Sequence, residues 1–119
     1  IGSDRLQALE VLDLSHNGLH SSMPYLEYMT SLRRLDLSHT GITDSVPLFL
    51  GYLAELTYLN LCGLNMTGTL PLEYTMLTNL MELHMCEMPS LAGSLPGEYV
   101  DLSALEVINL SRTVNLYGP

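Results

Sequence analysis

A chain of 119 residues suits one small domain, and 47% hydrophobic with 14% charged residues is the balance of a packed chain, not a disordered one. Lysine is absent, the cations are Arg5, Arg33, Arg34 and Arg112, and the net charge of −9 repels nucleic-acid phosphates, so no nucleic-acid partner is expected. Apolar runs are only a few residues long, against the roughly 20 a membrane span needs, so direct membrane insertion is not expected either.

Residues 1–8 supply only the tail of a repeat, with Leu6 in the place Leu53 takes later. The pattern Leu-x-x-Leu-x-Leu then recurs five times. It reads Leu9, Leu12, Leu14; Leu32, Leu35, Leu37; Leu56, Leu59, Leu61; Leu80, Leu83, Met85; and Leu105, Ile108, Leu110. A proline follows at matched depth in SMP (Pro24), SVP (Pro47), GTLP (Pro71) and GSLP (Pro96). Repeats are therefore assigned to 9–31, 32–55, 56–79 and 80–104, with a truncated one at 105–119. Leucine is common enough to imitate one such unit by chance, but not five with prolines in register.

The spacing dictates the local structure. In Leu-x-Leu both leucines face one side of a short strand and the intervening residue faces the other. One strand per repeat gives a parallel sheet of about five short strands. Leu53 and Met66, flanking the third strand, should help close a core that no single unit could bury. PLFLGYL and PLEYTML suit the return path, where an extended segment before proline enters a tight or helical turn. The predicted fold is an α/β repeat solenoid, a right-handed superhelix with a concave sheet and an irregular convex side.

LEVLDLSHNGLHSSMP and LRRLDLSHTGITDSVP resemble the LxxLxLSxNxLxGxIP pattern of plant-type leucine-rich repeat proteins, and the resemblance covers essentially the whole chain. GTLPLEYTMLTNL and GSLPGEYVDLSAL are also similar to the LPxEW-type repeats of the kinetoplastid surface antigen and proteophosphoglycan family. Tyr74 and Tyr99 stand where that family often has Trp. The resemblance implies a protein-binding or surface role and no catalytic activity.

The family's turn asparagine is mostly lost, its column reading Asn17, Thr40, Leu64, Met88, Thr113. Leu64 and Met88 offer no hydrogen bond, and an unpaired buried backbone group costs about 1–3 kcal/mol. The third and fourth turns are therefore expected to be the least regular, with Asn65 and Pro89 as local repairs. Both ends cut through a repeat, and solenoids need polar caps, so flanking repeats or caps are expected.

Positions alternating with the leucines form the concave face, where a partner is expected on Val11, Asp13, His16, Arg34, Asp36, His39, Tyr58, Asn60, Glu82, His84, Glu87, Val107, Asn109 and Arg112. At about 4.8 Å between strands the face spans roughly 19 Å, a protein-sized surface and no enclosed pocket. Cys62 and Cys86 share a column with Ser15, Ser38 and Ser111. Together with His84 they invite a zinc reading, but structural zinc wants four closed ligands. A disulfide between side-by-side parallel strands is the next alternative, and free thiols are the expected state. No metal and no cofactor is expected. LDLSH occurs twice, placing His16 three residues after Asp13 and His39 three after Asp36. Repetition accounts for this more simply than catalysis, because a general base needs a positioned nucleophile and a dry site.

Asn65-Met-Thr67 and Asn109-Leu-Ser111 are candidate glycosylation sequons. The expected function is non-catalytic binding of a protein or glycan by part of a larger cell-surface, extracellular or receptor-like protein. The alternative is an intracellular scaffold subunit whose open ends are covered by an assembly, which unpaired cysteines would favour.

Overall fold

In the computed structural model, which describes residues 6–118, the period-2 leucines fold as strands of three residues each. The elements run β1 (Val11–Asp13), β2 (His20–Ser21), β3 (Arg34–Asp36), β4 (Gly41–Ile42), the 3₁₀ turn η1 (Leu48–Tyr52), β5 (Tyr58–Asn60), η2 (Leu72–Met76), β6 (Glu82–His84), β7 (Ala92–Ser94), η3 (Gly97–Asp101), β8 (Val107–Asn109) and β9 (Asn115–Tyr117). The order β1-β3-β5-β6-β8 forms one parallel five-stranded sheet. Its register stacks Leu12, Leu35, Leu59, Leu83 and Ile108 in one inward row. Leu35, Leu59 and Leu83 are fully buried, whereas Ile108, in the last strand, is 41% exposed. Each unit thus depends on the next to cover its strand. Leu53 and Met66 join the same core.

The helical component is shorter than an α-helix. Pro47, Pro71 and Pro96 are extended, with ψ of 122°, 134° and 129°, and each opens a five-residue 3₁₀ turn. A 3₁₀ path rises about 2.0 Å per residue, so it crosses the convex side in fewer residues. Pro24 leads only into turns. A second, discontinuous parallel ladder lies beyond the main sheet: β2 pairs β4, β7 pairs β9, and bridges join Ser45 to Thr67 and Gly68 to Leu91. Its strands of two or three residues carry too little alternation to announce themselves in sequence.

Tyr74 and Tyr99 tie neighbouring repeats together. The Tyr74 hydroxyl donates to the Pro47 carbonyl at 2.9 Å and the Tyr99 hydroxyl to that of Pro71 at 2.7 Å. Tyr74 is 0% and Tyr99 6% exposed, which removes both from any convex binding surface. Burial, with Tyr99 and Glu73 adding repulsion, pushes the Tyr74 phenol well above its ordinary pKa. Burial and Glu73 push Tyr99 the same way.

The third and fourth turns are not the least regular ones, contrary to the expectation from their lost asparagines. All five strands exit through a left-handed residue in the same column: His16 (φ 56°), His39 (54°), Gly63 (77°), Glu87 (52°) and Arg112 (59°). The first four donate their N–H to the next repeat: His16 to Ser38 O, His39 to Cys62 O, Gly63 to Cys86 O and Glu87 to Ser111 O, at 2.8–3.0 Å. Regularity is carried by this backbone ladder, whatever side chain follows it. The next residue turns inward. Thr40 and Thr113 donate to Leu37 O and Met85 O, while Leu64 and Met88 are fully buried in the core. A net hydrogen bond contributes about 0.5–1.5 kcal/mol, and burying a Leu or Met side chain about 1.5–3 kcal/mol, so the apolar members lose little. Asn65 accepts from the Ser90 hydroxyl (2.7 Å) and Pro89 O from the Asn115 amide (2.8 Å), so both residues link adjacent repeats.

Candidate binding face

The sheet's outward residues fall into columns. In the first, Val11, Arg34, Tyr58, Glu82 and Val107 stand side by side; in the second, Asp13, Asp36, Asn60, His84 and Asn109. The middle of this array forms a contact chain across three strands. The Arg34 guanidinium lies 3.7 Å over the Tyr58 ring centre, a cation–π contact. The ring meets His84 at 5.3 Å between centroids, tilted by 41°. His84 Nε2 is 3.0 Å from Glu82 Oε1, and the Asn60 amide donates to the Tyr58 hydroxyl at 3.2 Å. Val11 and Val107, both exposed, sit on the outer strands and lie outside this chain.

Much of the second column is structural. The side-chain oxygens of Asp13, Asp36, Asn60 and Asn109 each accept the backbone N–H two residues on, at Ser15, Ser38, Cys62 and Ser111. These Asx turns bend the chain out of each strand. Asp36 is consequently buried, with its carboxylate also bound to the Ser38 hydroxyl, and it does not present itself to a partner. Asp13 remains exposed. The Ser15 hydroxyl and then the Ser15 amide lower its pKa, with smaller help from Arg34 and His16.

The fourth repeat has His84 in place of the Asx residue, so its turn needs another acceptor. Cys86 N–H donates to Cys62 Sγ at 2.9 Å instead. Cys62 and Cys86 form a disulfide, so the expectation of free thiols is overturned, and neither sulfur is available to a metal. Same-column residues on adjacent strands have their Cα atoms 4.5 Å apart, inside the 4.4–6.8 Å window for a bridge. Sequence spacing placed the pair side by side at about one strand spacing, but the side-by-side parallel geometry was expected to disfavour the bond that forms.

Beyond the bridge, the His16 and His39 rings stack at 4.8 Å, only 19° from parallel. A Cβ on Gly63 would fall on the His39 imidazole, so Gly63 both adopts the left-handed turn and leaves room for the ring. The aspartates bind the Ser15 and Ser38 hydroxyls and the two imidazoles stack on each other, so each copy of LDLSH contributes an Asp-held turn and one ring of the stack. Glu87 and Arg112 are exposed in the same column. An open cleft of about 390 Å³ borders the face, lined by Glu10, Ser31, Arg33 and Glu55. Glu10 and Arg33 flank the strands in sequence. Ser31 and Glu55 carried no signal, because they belong to the loops that precede the strands.

Of the sequon residues, Asn65 is exposed after the third strand, while Asn109 is partly buried with its oxygen held by Ser111 N–H. Among the described residues, no helix is long and apolar enough to cross a membrane.

Comparison with known proteins defines the class. The Leucine Rich Repeat family pattern matches residues 8–29 and 31–53. The Arabidopsis receptor kinase HAESA, solved with the peptide hormone IDA and the co-receptor SERK1, superposes with a TM-score of 0.84 at 32% identity, covering 99% of this chain and 20% of that one. The ectodomain of the receptor kinase SOBIR1 from Arabidopsis thaliana gives 0.86 at 27% identity, covering 97% and 62%. A plant ice-binding protein gives 0.85 at 26%, covering 99% and 38%. No curated protein matches. The fold is that of a plant-type leucine-rich repeat solenoid similar to receptor-kinase ectodomains, and the chain spans about a fifth of HAESA.

Proposed function

We propose that the chain is a non-catalytic recognition module that binds a protein or peptide across its concave sheet. The observation that carries this reading is the Arg34–Tyr58–His84–Glu82 chain, which gathers a cation, an aromatic ring, an imidazole and a carboxylate from three adjacent strands. Tyr and Arg dominate the energetics of many interfaces, and here each is held in place by a neighbour before any ligand arrives. Val11, Asp13, His16, His39, Asn60, Glu87, Val107, Asn109 and Arg112 form the surrounding surface. Structural neighbours solved with peptide hormones, HAESA and RGFR1 among them, support a protein or peptide partner over a glycan.

An extracellular or cell-surface location is the reading favoured for the compartment, because a disulfide persists where the surroundings are oxidising. The resemblance of GTLPLEY and GSLPGEY to surface-antigen repeats points the same way. An intracellular scaffold is the weaker alternative, since the cysteines are paired.

The test is selection of peptides from a displayed library on the wild-type chain, followed by measurement on Arg34→Ala/Tyr58→Ala. Selected peptides should lose roughly 30-fold or more in affinity on the double variant, the scale of an interface hot spot. Retention of full affinity would place recognition elsewhere. Mass spectrometry of protein from its native source should find a glycan on Asn65; a bare Asn65 would count against the secreted reading.

A further inference from the structure

The outer surface of the 3₁₀ turns carries a second face of different chemistry. The residue after each of the first three prolines is large, apolar and exposed: Tyr25, Leu48 and Leu72. Tyr52 and Met76, which end η1 and η2, form a parallel row, and Val100 of η3 is 85% exposed. The turns η1 and η2 pack directly on one another, so Leu48 and Tyr52 of one repeat are followed by Leu72 and Met76 of the next. A shallow groove of about 260 Å³ follows η2, lined by Leu72, Glu73, Thr75 and Met76. Scattered exposed apolar residues need no explanation, but aligned rows mark an interaction surface.

The charge on this face is of one sign. Glu73, Glu98 and Asp101 lie in η2 and η3, and Glu27 in the equivalent stretch after Pro24. Lysine is absent from the whole chain. Among the described residues, Arg33 and Arg34 stand at the start of the second strand of the sheet and Arg112 beyond the last, so no arginine lies on the 3₁₀ turns. A second copy of the chain, also at −9, would set like charges against each other, and an anionic membrane surface would be repelled in the same way. What fits is an opposite charge carried on an apolar scaffold.

We propose that the convex face docks a cationic amphipathic helix of a partner protein, with Leu72 and Met76 as apolar anchors and Glu73, Glu98 and Asp101 as the complementary charge. Such a helix presents apolar residues at i, i+3, i+4 and i+7 and its basic residues along the flanks. The site shares no residue with the concave face, so it stands or falls separately from the recognition role proposed above.

The probe is a synthetic amphipathic helix of Leu and Lys, compared with the same peptide carrying Glu for Lys, by fluorescence anisotropy on the intact chain. The Lys peptide should bind, weaken as salt rises, and lose roughly tenfold or more on Leu72→Ser/Met76→Ser and on Glu73→Gln/Glu98→Gln/Asp101→Asn. The charge variant alters only side-chain ends and keeps the test sound if the first variant folds poorly. Arg34→Ala/Tyr58→Ala should bind the peptide as wild type does. Equal binding of the Glu peptide, loss on the concave variant alone, or full affinity in both convex variants would overturn the proposal. So would convex-dependent self-association or binding to phosphatidylserine vesicles, since either gives the face another occupant.

Discussion

Replacing Tyr74 and Tyr99 by Phe should make the array less stable at neutral pH and, at the same time, less sensitive to alkali. Each hydroxyl is buried and donates to a proline carbonyl in the preceding repeat. Removing one such bond costs about 1 kcal/mol, and up to about 3 where the carbonyl is left with no donor. The pH effect follows from linkage. Both phenols are raised in the folded state, mainly by burial, so above the unfolded value of about 10 the folded chain holds protons that the unfolded chain releases. Their stabilisation is fully present below that value and declines as pH rises toward the folded values, by at most about 1.4 kcal/mol per pH unit for each tyrosine. From neutral to about pH 11 the wild type should lose roughly 1.4 kcal/mol per tyrosine, close to 3 kcal/mol for the two, a large part of a small domain's stability. Urea midpoints followed by circular dichroism across this range, with incubations short enough to spare the disulfide, would measure it. Each single Phe variant should remove about half of the alkaline loss, and the double variant nearly all of it. An alkaline slope in the double variant as steep as in wild type would falsify the assignment.

Three further outcomes follow from the backbone and the bridge. Cys62→Ser/Cys86→Ser opens a link spanning 24 residues and should cost about 3.5 kcal/mol by chain entropy, with the wild type in reductant matching the variant in urea midpoint. Asp44 occupies the left-handed column (φ 94°) that Gly68 (105°) and Gly93 (93°) fill in the following repeats. Asp44→Gly should therefore stabilise by about 0.5–1 kcal/mol, raising Tm by roughly 2–4 °C, and an unchanged or lower Tm would contradict the strain. Gly63→Ala meets both a left-handed backbone and the His39 ring, so it should cost about 1–2 kcal/mol and disturb the His16–His39 stack, seen as shifted imidazole resonances in NMR.

The sequence alone determined the repeat, because Leu-x-Leu has a strand's period and five co-registered copies can bury their leucines only by stacking. It also determined which residues share a column, so the neighbours Arg34 and Tyr58, Cys62 and Cys86, and His16 and His39 were all legible before any coordinates. What each pair does was not. Distances and side-chain directions decide that Arg34 covers the Tyr58 ring, that the two sulfurs bond, and that Asp36 turns away from the face to hold Ser38. The turns taught the same lesson. Leu64 and Met88 have no side-chain donor to hold the turn, but the left-handed residue before each, with its N–H bound to the next repeat, keeps the turn whatever follows it. Likewise the sequence marks Tyr74 and Tyr99 only as standing where similar repeats often have Trp, and only packing shows their hydroxyls reaching back to the preceding repeat. Period and column are local properties written in residue spacing, whereas burial, bonding and backbone compensation depend on what the neighbouring repeat presents.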